Sequence, residues 1–165
     1  MTKHQVQWAA QFATGAELVR RGYPAAFFLG NEPGYDLLCV GETDFRVQVK
    51  GFSCNKPKSK TAKGNYVPIK NLRTGNRSDL IIIVRVPKPL DCAVAKPSDP
   101  FEFFIATLGD LRKAQPEEII NPKTGKPYEP FTPGVSYRNF ERFQDRWDLL
   151  PAPPAVLTVP APISN

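Results

Sequence analysis

Apolar residues recur at helical spacing at the start of the chain, at Val6, Ala9, Ala10, Ala13 and Ala16. That period predicts an α-helix from a Thr2 cap to about Arg21, stopped by Gly22. The pattern then changes to short apolar runs. Residues 25–29 predict a strand, 31–34 (Asn-Glu-Pro-Gly) a turn, and 35–40 and 45–52 two strands of a hairpin. In the second of these, Phe45, Val47 and Val49 alternate with Arg46, Gln48 and Lys50, so Gln48 and Lys50 share a face in any register. Residues 66–70 read as a further strand. Residues 80–86 (LIIIVRV) are apolar enough for a strand buried on both faces, ended by Pro87 and Pro89. A strand over 101–106 and a short helix over 108–114 follow, then a loop over 116–135. Ser136 is expected to cap a last helix to about Leu150, with Tyr137, Phe140, Phe143, Trp147 and Leu150 as its core-facing side.

The chain has 165 residues, enough for one domain with a sizeable core. We read residues 1–150 as that domain and 151–165, rich in proline and alanine, as a tail favouring extended conformations. No apolar run approaches a membrane span, and the N-terminus lacks the apolar stretch of a signal peptide, so a cytoplasmic location is expected. Cys39, Cys54 and Cys92 are odd in number and far apart, which suggests neither a zinc site nor a disulfide framework. The single histidine, His4, lies in the first helical turn. Triad chemistry is thereby disfavoured, and acid–base work falls to carboxylates, lysines or metal-bound water. The net charge of +6 favours a polyanionic partner.

One region gathers candidate chemistry. Glu17 continues the helix stripe of Ala10 and Ala13, where a carboxylate is costly unless paired or bound to metal. Asp36 opens one apolar run, and Gln48-Val49-Lys50 lies inside the next. A hard divalent cation takes oxygen ligands, which Asp36, the Gln48 amide and the Val49 carbonyl can supply. Lys50 can orient a water or offset developing negative charge. Asp36 joins the face of Gln48 and Lys50 only if the hairpin connection has an odd number of residues or carries a bulge. After Lys50, the stretch CNKPKSKTAK carries Lys56, Lys58, Lys60 and Lys63 and is nearly free of apolar residues. It suits sequence-independent phosphate contact.

These residues resemble the PD-(D/E)xK nuclease superfamily in a Gln-x-Lys form, over roughly residues 5–86. The resemblance implies a restriction-endonuclease-like α/β fold, a mixed sheet flanked by helices. It implies a Mg²⁺-dependent DNA endonuclease of restriction, junction-resolving or mobile-element type, with Mn²⁺ able to substitute. Glu17, Asp36, Gln48 and Lys50 would be catalytic; Asp36, Gln48, Val49 and Glu17 would hold metal. DNA is the implied partner, and two strands to cut imply a homodimer. The chain departs from the motif in three ways. Tyr35 stands where the motif has proline, Gln48 replaces the usual acid, and no clear helix follows Lys50. A descendant that binds DNA or protein without catalysis is the alternative.

Overall fold

In the computed structural model the described residues are 1–28, 34–53, 66–68, 77–87, 100–114, 134–136 and 140–155. Helix α1 (Lys3–Arg20) begins at a reciprocal cap. Thr2 Oγ1 accepts the Gln5 N–H at 3.2 Å, and the Gln5 side chain accepts the Thr2 N–H at 2.8 Å. Gly22, at φ +90°, turns the chain out of the helix. Strands β1 (Ala25–Phe27), β2 (Leu37–Cys39), β3 (Phe45–Phe52), β5 (Leu80–Arg85) and β6 (Glu102–Thr107) form one mixed sheet in the order β1-β2-β3-β5-β6. The first three form an antiparallel meander, β3 and β5 run parallel, and β6 returns antiparallel to β5. Strands β4 (Tyr66–Pro68) and β7 (Gly134–Ser136) make a separate antiparallel pair. The short helix α2 (Leu108–Ala114) follows β6 directly. No helix among the described residues is long and apolar enough to cross a membrane.

Alternation in the strands assigns each residue to one of two apolar layers. Val6, Ala10 and Leu18 of α1 pack on Leu37, Cys39, Val47, Val49, Ile82 and Val84. On the other face Ile81, Ile83, Phe104 and Ala106 meet Leu111 of α2, Phe140 and Phe143. All six residues of β5 are buried, the five apolar ones as their uninterrupted run requires and Arg85 against Glu102.

Three expectations change. The hairpin strand over 35–40 is shorter, and Asp36 lies just outside it at a bend. The loop over 116–135 gives way at its end to β7, in which Ser136 pairs with Tyr66 instead of capping a helix. Among the described residues Phe140 is helical, and from Glu141 to Leu150 the expected helix is replaced by two 3₁₀ turns, Glu141–Phe143 and Trp147–Leu149, separated by Asp145 at φ 53°. The aromatic spacing serves both layers, which one straight helix cannot do. Phe140 packs edge-on to Phe104 at 5.0 Å in the second layer, while Trp147 packs on Phe103 at 5.4 Å at the margin of the first. The start of the tail is docked: Tyr23 Oη donates to the Pro151 carbonyl at 2.6 Å, and Glu42 N–H donates to that of Ala152 at 3.0 Å.

Candidate functional site at the fork between β2 and β3

Strands β2 and β3 pair only as far as Leu37 opposite Val47, although β3 continues to Phe52. The connection from Cys39 to its partner Phe45 is odd-numbered, so one rung further sets Asp36 opposite Gln48. Asp36 keeps its backbone in the meander. Its N–H donates to the Val47 carbonyl at 2.8 Å, and its own carbonyl accepts the Phe28 N–H at 3.0 Å. Beyond this point, among the described residues, side chains rather than a strand meet the edge of β3. Asp36 Oδ2 accepts the Val49 N–H at 2.7 Å. The Val49 carbonyl accepts Nε2–H of Gln7 at 3.0 Å, and Gln7 Oε1 accepts the Gly51 N–H at 3.2 Å. Gln11, one turn further along α1, donates Nε2–H to Asp36 Oδ1 at 2.7 Å.

The Asp36 carboxylate therefore sits on the peptide that joins Gln48 to Val49, next to the Gln-x-Lys segment. Gln48 pairs with Ile81 and Lys50 with Ile83. Paired residues share a face, so both lie on the face of the second layer, away from α1. Gln48 is buried and Lys50 half-buried.

Glu17 does not join this group. It lies six residues past Gln11, about 9 Å further along the helix axis. Its carboxylate is held by Arg20 at 2.7 Å and Arg21 at 2.8 Å. The hydrogen bond from Arg20, with help from Arg21, draws its pKa below the ordinary value. Arg21 also stacks on Trp147, 4.1 Å from the ring centroid. Pairing thus meets the cost of a carboxylate on the stripe, and α1 offers Asp36 amides where an acid was expected. Gln7 and Gln11 were missed in the sequence. Their signal was four-residue spacing immediately beside the buried Val6 and Ala10. The lysines at 56, 58, 60 and 63 lie outside the described residues.

Two ion pairs flank the group on β3 and β5. Arg46 N–H and guanidinium both donate to the Asp79 carboxylate, at 2.8 to 3.1 Å, where the parallel ladder starts. The Arg46 bond holds the Asp79 carboxyl below its usual pKa. At the other end, Arg85 and Glu102 form a two-armed bridge, each arm 2.6 Å, with side chains 7% and 11% exposed.

Of the hard oxygen donors expected for a cation, the Asp36 carboxylate and the Val49 carbonyl lie together at the fork beside α1, while the Gln48 side chain belongs to the opposite face of the sheet. The two at the fork are the kind Mg²⁺ takes, but they carry a single formal charge. No cluster of three His, Cys, Asp or Glu side chains occurs among the described residues. A cation held at the fork would have to complete its shell with water.

No protein-family model and no curated protein matches the chain. Among solved structures, the bacterial homing endonuclease I-Ssp6803I is similar in fold, with a TM-score of 0.50 at 19% identity, over 90% of this chain and 91% of that one.

Proposed function

We propose that this chain is a metal-dependent DNA endonuclease of the PD-(D/E)xK kind, with its site at the β2–β3 fork. The observation that carries the reading is the Asp36 carboxylate bonded to Val49 N–H, between Gln48 and Lys50. The likeness in fold to a homing endonuclease agrees with it. Asp36, Gln48 and the Val49 carbonyl would hold Mg²⁺ or Mn²⁺, a cation that supplies charge neutralisation and an acidified water when bound. Lys50 orients the attacking water and offsets the negative charge that grows on the phosphoryl oxygens. Lys56, Lys58, Lys60 and Lys63 hold the flanking phosphates. Cutting both strands calls for two such sites, hence a homodimer acting on DNA in the cytoplasm.

A second reading, a domain that binds DNA without cutting it, rests on a specific observation. Both Asp36 oxygens and the Val49 carbonyl already accept N–H groups, and two glutamines supply the neutral partners. Plasmid incubation with Mg²⁺ or Mn²⁺ separates the two readings. The endonuclease reading expects nicked or linear DNA from wild type, none with EDTA, and none from Lys50→Ala or Asp36→Ala. Binding without any cleavage favours the second reading.

A further inference from the structure

We propose that Gln7 is a positioning residue for Lys50; the inference rests on Lys50 serving the site described above. The Gln7 amide bonds the Val49 carbonyl and the Gly51 N–H, the backbone groups on either side of Lys50. One donor and one acceptor, in the order a strand peptide presents them, stand where β2 would have continued. Lys50 lies two residues from the end of β3, beyond the last residue that β2 pairs. On the far edge it is in register with Ile83 of β5. The amide closes the open edge, so the Lys50 backbone is fixed from both sides.

Gly51 makes this reach possible. A Cβ there would stand 2.7 Å from the Val6 carbonyl oxygen and 2.8 Å from Ala10 Cβ. The missing side chain lets α1 lie close enough to β3 for a glutamine to span the gap. Displacing a catalytic group by about 1 Å costs up to a hundredfold in rate, so the Val49–Gly51 backbone is where such precision is set.

The test uses the full chain with Gln7→Met, which keeps length and loses both hydrogen bonds. Gln7→Glu, of the same shape, accepts from Gly51 but faces the Val49 carbonyl with a carboxylate. Circular dichroism establishes folding, and either folded variant suffices. Two readouts follow: single-turnover cleavage against DNA Kd, and the Lys50 ¹³Cε resonance of ¹³C-lysine protein, assigned with Lys50→Arg. The expected result is an unchanged Kd, a cleavage rate down roughly ten- to hundredfold, and a displaced Lys50 resonance. An unchanged rate or an unmoved Lys50 resonance in a folded variant overturns the role. If wild-type protein cuts no DNA, the endonuclease reading falls, and the Lys50 resonance alone decides the role of Gln7.

Discussion

Gln11 on α1 donates its amide to Asp36 at the mouth of β2, 2.7 Å from nitrogen to oxygen, and so ties the first helix to the meander through a carboxylate. The contact is neutral on one side. Gln11→Glu makes it a pair of carboxylates. Without metal the two repel, and the melting temperature falls at neutral pH. A cation between them reverses the sign. Titration calorimetry with Mn²⁺ should show affinity about tenfold or more above wild type, and Mn²⁺ should restore the melting temperature. Equal affinities in the two proteins would detach the Asp36–Gln11 contact from any metal site.

Gln48→Glu asks the same of the other amide. Glutamate is a stronger ligand for a hard cation, so Mn²⁺ affinity should rise, while cleavage can fall because the nearby Lys50 gains a competing anion. Identical titrations of wild type and variant would reject Gln48 as a ligand.

Much of this fork was legible in the sequence, for reasons that can be named. Alternation through Phe45–Phe52 fixed which residues of β3 face together, because period two admits no other answer. The connection between Cys39 and Phe45 is odd-numbered, as the site required, but Asp36 lies at a bend outside β2 and its carboxylate turns to the Val49 N–H and to Gln11 of α1, whereas Gln48 and Lys50 face the second layer. What failed was long-range. Nothing local says that β2 starts only at Leu37, so nothing local says that Gln7 and the Asp36 carboxylate must satisfy the edge of β3, or that Gln11 must meet Asp36. Glu17 was singled out because a carboxylate on an apolar stripe demands a partner. Its partners proved to be Arg20 and Arg21, three and four residues away. The aromatic repeat from Phe140 to Leu150 matched a helix equally well as two 3₁₀ turns, and only packing on both faces of the sheet decides between them.

The two ion pairs should differ in worth. Glu102→Gln removes the anion from a guanidinium that is 7% exposed, and urea unfolding should show a loss of about 3–5 kcal/mol. Asp79→Asn acts where both partners are 43% exposed, so solvent screening leaves the ion pair itself roughly 0–1 kcal/mol. A loss for Asp79→Asn as large as that for Glu102→Gln would show that its bond to the Arg46 N–H, not the charge, starts the parallel ladder.

Replacing Lys56, Lys58, Lys60 and Lys63 together with glutamine should weaken DNA binding to a similar degree for every sequence. The slope of log affinity against log salt should flatten by about one for each phosphate that a lysine no longer neutralises. An unchanged slope in fluorescence anisotropy would remove this segment from the DNA interface.

Cys39 sets an alkaline limit on stability. Its side chain is fully buried in the first apolar layer, and burial pushes the thiol from 9.0 up to about 12. Raising the folded-state pKa of an acid leaves stability intact below the unfolded value. Stability is then lost as pH climbs from about 9 towards about 12, because only the unfolded chain gives up the proton. Urea midpoints measured from about pH 8 to about pH 10.5 should fall faster for wild type than for Cys39→Ala. The Ala variant starts lower, since it removes buried volume, so the slope and not the starting value carries the test. Burial raises the Tyr23 phenol as well, and its titration adds to the same window. Tyr23→Phe separates the two: a decline that persists in Tyr23→Phe and vanishes in Cys39→Ala belongs to the thiol. Parallel slopes for wild type and Cys39→Ala would show that the thiol does not set the limit.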